Sequence, residues 1–245
     1  LYTAIGLMSG TSMDGVDASL IRSDGFNQFM NIFDEYFKFE DKLYQKLRNL
    51  RDLIYKKEHL QIYSKDLEEL DRELTIFHSQ IVNKINKKYS GQIDLVGFHG
   101  QTIFHNINEK ISKQIGNGKL LSQLTKKKVV YDFRQEDIKN GGQGAPLTPV
   151  FHHLIVKQEY PTQWPILVLN IGGISNLTSI SKTIINKSKL PEFLPSKPEF
   201  NMFAGDIGPG NCLIDEWIRK NSKFKYDKDG LIAKSGKVNE LVFNQ

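Results

Sequence analysis

Residues 6–20 read GLMSGTSMDGVDASL, with glycines, hydroxyl side chains and two aspartates set between apolar residues. The segment leading into it, YTAIGLMS, is a short apolar run. The segment leading out, VDASLIRS, alternates, with Val16, Ala18 and Leu20 on one face and Asp17 and Ser19 on the other. A period of two residues is that of a half-buried strand, so the spacing predicts strand, glycine-rich turn, strand. Such a turn suits an anion: Gly10 and Gly15 can adopt positive φ and let backbone N–H groups converge, and Thr11 and Ser12 add hydroxyl donors. Hydrogen bonds to charged phosphate oxygens, each worth about 1.5–3 kcal/mol, would together seat a nucleotide tail. Asp14 would repel bare phosphate, which makes a Mg2+ between them the natural supposition and Asp14 the candidate metal ligand. This is not a Walker loop, because no GK[ST] is present and the following segment alternates like a strand. A tight hairpin with no ligand accounts for the same residues.

Beyond the hairpin, Phe29 to Phe39 is again strand-like. The period then changes: Leu67, Leu70, Leu74, Phe77, Ile81 and Ile85 are three or four apart, which predicts one amphipathic helix over SKDLEELDRELTIFHSQIVNKINKKYS with this stripe in the core. QIDLVGFHGQT reads as a buried strand with a polar end, NGKLLSQLTKK as a helix and KVVYDF as a further strand. Strands alternating with helices predict an α/β fold with parallel pairs and ligands at the carboxyl ends of strands. WPILVLNIGGISNLTSI repeats the opening pattern of strand, glycine turn and alternating return roughly 160 residues later, which predicts two related half-domains, 1–150 and 151–245, around a shared cleft. NKSKLPEFLPSKPEF, rich in proline, reads as a surface loop.

Composition bounds the alternatives. A chain of 245 residues with 39% hydrophobic content can bury a sizeable core. The net charge of +5 is spread along the chain, and TKKKVVYDFR is too short a basic run for a nucleic-acid face. The single cysteine, Cys212, excludes an internal disulfide and a CxxC metal site and suits a reducing cytosol; as a nucleophile it lacks an adjacent histidine. No segment has the apolar length to span a bilayer and no signal peptide is recognisable, so the expected location is cytoplasmic, with no membrane partner. The chain begins at Leu1 and stops at Gln245 inside GKVNELVFNQ, which reads as the start of a helix, so either end is a candidate truncation.

The remaining motifs supply candidate side chains. In NIGGISNLT, Gly172 and Gly173 offer a second backbone cradle for a polyphosphate, or an ordinary turn. In FAGDIGPGNCLIDEW, Asp206 precedes a stiff Gly-Pro-Gly turn and a helix with Asn211 at its N-cap. It could serve as general base or metal ligand, or merely form an Asx turn. In GFHGQTIFH, His99 and His105 are spaced wrongly for a zinc site; His99 at a strand's carboxyl end suits a ligand hydrogen bond or a structural one. In DFRQEDIKNGGQGAPLTP, Arg134 could clamp a carboxylate or pair with Asp137.

Taken in order, GLMSGTSMDGVD, GFHGQTIFH, QIGNGKLL, DFRQEDIKNGGQGAPLTP, LNIGGISNLT and GDIGPGN resemble the anhydro-N-acetylmuramic acid kinases of bacterial cell-wall recycling. The resemblance runs from Gly6 to Asn211. It implies an actin/hexokinase-like (ribonuclease H-like) α/β fold, with the first domain complete and the second partial, because the family chain continues past Gln245. It implies ATP and Mg2+ as cofactors and a reaction that opens a 1,6-anhydro sugar with water and phosphorylates O6. The family's ATP-phosphate loop falls on Gly10, Thr11, Ser12, Met13, Asp14, Gly15, Val16 and Asp17, and its catalytic aspartate on Asp206. His99, Gln101, Arg134 and Gln143 are the candidate sugar contacts. A homodimer or a complementing C-terminal chain are the partners this picture allows, beside an inactive remnant.

Overall fold

A computed structural model describes residues 1–182 and 200–244. All but the last residue of the proline-rich stretch read as a loop lies outside the described residues, and its final residue, Phe200, begins a strand. The chain divides into two units, Leu1–Pro161 and Thr162–Gln245.

In the first unit, β1 (Tyr2–Ser9) and β2 (Gly15–Ser23) form the hairpin that the alternation predicts, and β3 (Phe29–Lys38) continues it antiparallel. Val16, Ala18 and Leu20 are buried, as are Ile5 and Leu7 of β1. Two helices missed in the sequence, α1 (Asp41–Leu53) and the short α2 (His59–Ile62), lead into α3 (Ser64–Lys88), which is the long amphipathic helix expected. Its Leu67, Leu70, Leu74, Ile81 and Ile85 are buried, while Phe77 is half-buried and meets Phe39 edge to face with ring centroids 5.0 Å apart.

The chain returns as β4 (Leu95–Asn106), longer than the sequence suggested. Its first half pairs parallel with β1 on one side and with β6 (Lys128–Tyr131) on the other; its second half pairs antiparallel with β5 (Ile111–Ile115), a strand not anticipated. The sheet order is β3-β2-β1-β4-β5, with β6 also on β4. Between β5 and β6 lies α4 (Gly118–Thr125), capped by Asn117, whose side chain accepts the Leu120 N–H at 2.9 Å. The unit closes with α5 (Phe133–Lys139), a helix leading into the GGQG loop, and α6 (Pro149–Glu159). Both amide atoms of Gln158 on α6 bond the backbone of Phe29, its Oε1 accepting the N–H at 3.1 Å and its Nε2 donating to the carbonyl at 3.0 Å, so the helix occupies the start of edge strand β3.

The second unit holds an antiparallel sheet, β7 (Ile166–Ile171), β8 (Ile174–Lys182) and β9 (Phe200–Pro209), followed by α7 (Cys212–Asn221) and the short helices α8 (Leu231–Ser235) and α9 (Glu240–Phe243). The hairpin of β7 and β8 and the helix at 212 follow the sequence reading. The stiff turn expected around Asp206 does not form: the segment stays extended through Pro209, because Ile174 to Lys182 pair with it antiparallel along its length, with one irregularity at Ile207. Asn211 occupies the N-cap position of α7 without a side-chain cap. Carbonyls of the β7–β8 turn do that work: Gly173 O accepts from Gly210 N (2.9 Å) and Cys212 N (3.2 Å), and Gly172 O from Asn211 N (2.7 Å).

Candidate active site

The loop Gly10–Asp14 joins β1 to β2, and its conformation differs from the glycine-based expectation. Neither Gly10 nor Gly15 adopts positive φ; the left-handed residue is Met13, at φ 57°. Met13 tolerates this because its side chain is fully buried, fixing the loop to the core, and its N–H closes a turn onto Gly10 O at 3.2 Å. Gly15 is glycine for lack of room: a Cβ there would lie 2.5 Å from Phe37 O and 2.6 Å from the Tyr36 ring. Thr11 and Ser12 project at the exposed tip, and the Ser12 hydroxyl donates to Asp14 Oδ1. Val16 turns into the core, whereas Asp17 is exposed on the opposite face of β2. Partial burial, with the nearby charges of Asp14 and Asp34, raises the Asp17 carboxyl above its ordinary value. Carboxylates that repel one another at this end of the hairpin suit a divalent cation. Among the described residues no group of three His, Cys, Asp or Glu converges for a metal, and Mg2+ shared with phosphate oxygens needs only one or two carboxylates.

Behind the tip, Gln101 is completely buried. Its Nε2 donates to Gly10 O at 3.0 Å and approaches Thr102 O at 3.3 Å; its Oε1 lies 2.5 Å from Ser9 Oγ, which is also 2.9 Å from Gly15 O. The amide expected on the sugar is therefore engaged inside the protein.

His99 and Arg134 come together. Arg134 Nε donates to His99 Nε2 at 2.8 Å and Nη1 to Gly144 O at 2.8 Å. With Nε2 accepting, the ring proton sits on Nδ1 and is donated to Gly100 O, 2.8 Å away. Burial first, and the Arg134 charge second, pull the His99 pKa down to about 4, so the ring is neutral near pH 7. Asp137 does not take Arg134; its Oδ2 accepts Gly144 N at 2.8 Å. The GGQG loop is thus tied to α5 by both residues, with Gln143 exposed on it.

His99 also lines a cavity of about 420 Å³ beside the middle of β4 and the end of β6, walled by Asp71, Gln114, Asn117, Lys119 and Asp132 among others. Amides, carboxylates and lysines beside the Phe98 and Tyr131 rings form a wall suited to a polar, ring-shaped ligand. Sequence reasoning missed this wall because β5 went unread, although Ile111 and Ile115 flank Ser112, Lys113 and Gln114 in a short apolar-polar pattern.

In the second unit Asp206 is exposed on β9 directly opposite Asn176 of β8, which in turn faces Asn170 of β7. Residues directly opposed across strands share a face, so Asn170, Asn176 and Asp206 make one polar row across the sheet.

The sequence model of the anhydro-N-acetylmuramic acid kinase family matches residues 2–245. The chain belongs to the anhydro-N-acetylmuramic acid kinase family. It is similar to the anhydro-N-acetylmuramic acid kinase of Pelagibacter ubique (strain HTCC1062), 51% identical over 244 residues, covering 100% of this chain and 61% of the relative. The kinase of the same name in Agrobacterium fabrum is 38% identical over 244 residues (96% and 60% covered), and that of Brucella suis (strain ATCC 23445 / NCTC 10510) 37% over 243 residues (97% and 61%). The chain spans about three fifths of the length of these curated relatives. Among the described residues no helix is long and apolar enough to cross a membrane.

Proposed function

We propose that this family member is an ATP-dependent kinase that opens the 1,6-anhydro ring of anhydro-N-acetylmuramic acid with water and phosphorylates O6, giving N-acetylmuramic acid 6-phosphate in cytoplasmic cell-wall recycling. The observation that carries the reading is the β1–β2 loop: a tip anchored by the buried Met13 and Gln101 that presents Thr11 and Ser12 beside the acidic Asp14. Thr11 and Ser12 hold ATP phosphate, and Gly172 and Gly173 are the nucleotide candidates of the second unit. Asp14 would hold Mg2+, which when bound neutralises phosphoryl charge. The strand order, with β1 antiparallel to β2 and parallel to β4, supports an actin/hexokinase-like fold. The sugar takes the polar cavity beside His99, where Arg134 holds the neutral imidazole in one tautomer; Gln143 is a further sugar candidate.

The chemistry assigned to Asp206 is proton transfer. Water attacks C1 while the Asp206 carboxylate accepts its proton; the C1–O6 bond breaks, and O6 attacks the γ-phosphorus as ADP departs. A placed general base contributes about 10² to 10⁴ in rate, and positioning with charge stabilisation supplies the remainder. The test is ADP release measured with each substrate omitted in turn. Release that requires the anhydro sugar supports the reading, and equal release without sugar refutes it.

A further inference from the structure

Between the register pairs Leu7 with Phe98 and Ser9 with Gln101, β4 contributes His99 and Gly100 where β1 contributes Met8 alone. This is a bulge, and it requires glycine: Gly100 has φ +70°, and a Cβ there would lie 2.2 Å from Ile115 O. A bulge re-aims the side chains after it. Val96 and Phe98 point into the core; without the extra residue Gln101 would turn away from them, and with it Gln101 is buried on the core side, next to Ser9.

The consequence lies in the peptide plane. Gly10 O is gripped from inside by Gln101 Nε2 at 3.0 Å and Met13 N at 3.2 Å, which uses both of its lone pairs. In a planar trans peptide the C=O of one residue and the N–H of the next point in opposite directions. Holding the Gly10 carbonyl inward therefore aims the Thr11 N–H outward, at the exposed tip.

We propose that Gln101 is a positioning residue for the phosphate loop, orienting the Gly10–Thr11 peptide so that the Thr11 N–H faces the nucleotide phosphates. This rests on the reading of the loop as the ATP site, and it separates Gln101 from the sugar contacts.

The test is calorimetric binding of AMP-PNP with Mg2+ to the wild-type full chain, Gln101→Met and Ser9→Ala, with steady-state KM values for ATP and sugar. Gln101→Met keeps the volume and loses the grip; Ser9→Ala releases only the Oε1 side and leaves a folded protein to measure if the first variant does not fold. The expected result is AMP-PNP affinity weakened about ten- to a hundredfold in Gln101→Met, the loss of one hydrogen bond to a charged oxygen. Ser9→Ala should be weakened less, and the sugar KM should stay within twofold in both. Unchanged AMP-PNP affinity in a folded variant overturns the proposal while leaving the ATP reading intact, as does a raised sugar KM with unchanged ATP KM. Wild-type protein that does not bind AMP-PNP overturns the ATP reading itself, and this proposal with it.

Discussion

Arg134 Nε donates to His99 Nε2 across 2.8 Å while the same guanidinium reaches Gly144 O, so one arginine fixes both the imidazole tautomer and the GGQG loop. Lysine donates from one nitrogen at the end of a flexible stem and lacks the planar fork whose Nε and Nη1 reach the two acceptors here. Arg134→Lys should lower stability by about 1–3 kcal/mol, the cost of leaving a buried acceptor unmet. Urea unfolding would read the loss, and hydrogen exchange should show faster exchange of the Gly144 amide. Unchanged stability and exchange would remove the arginine from this role.

His78 on α3 predicts an acid limb. It is fully buried, its Nδ1 lies 2.8 Å from Leu74 O, and its ring stands 4.9 Å from that of Phe98, with no partner for Nε2. Burial holds its pKa down at about 4 against 6.5. Because the folded value is depressed, the unfolded chain binds more protons between these two values. Stability is full above pH 6.5 and falls as the pH drops towards 4, by about 3 kcal/mol for this one group. His78→Phe should flatten that slope in unfolding measured from pH 7 to 4; the neutral His99 leaves a residual slope. An identical slope in the variant would exclude His78 as its source.

Gly210 meets the β7–β8 turn so closely that a Cβ would lie 2.2 Å from Gly172 O. Gly210→Ala should push that turn away from the N-terminus of α7 and cost about 1–3 kcal/mol, as overpacking generally does. Thermal unfolding would register a lower midpoint, with the loss of Cys212 amide protection as its local sign. A midpoint unchanged from wild type would contradict the close packing.

The legible parts of the fold were those whose burial follows a simple period. Val16, Ala18 and Leu20 alternate along β2, and Leu67 to Ile85 repeat along α3, so each element could be read from its own residues. The stripe Leu43, Leu47, Leu50 in α1 carries the same signal over a shorter span. Other elements depend on partners distant in sequence. FAGDIGPG has the composition of a turn, yet β8 holds it extended. The bulge at His99 and Gly100 exists because β1 and β4 pair out of step, and no local pattern announces it. The site divided along the same line. Thr11, Ser12 and Asp14 were readable as a loop tip, but the inward role of Gln101 and the wall contributed by β5 required the register of the sheet.

Asp206 is exposed and stands opposite the half-buried Asn176, open to a substrate rather than committed to the core. Asp206→Asn should retain AMP-PNP affinity within about threefold and lower kcat by about 10² to 10⁴, the contribution of a general base. Turnover near the wild-type rate would refute its proposed catalytic role.

Ring opening coupled to phosphorylation is tested most directly by mass spectrometry of the sugar product after incubation with Mg-ATP and 1,6-anhydro-N-acetylmuramic acid. The expected product is heavier than the sugar by one water plus one phosphoryl group. A product heavier by the phosphoryl group alone, with its anhydro ring closed, or an unaltered sugar, would contradict this coupling.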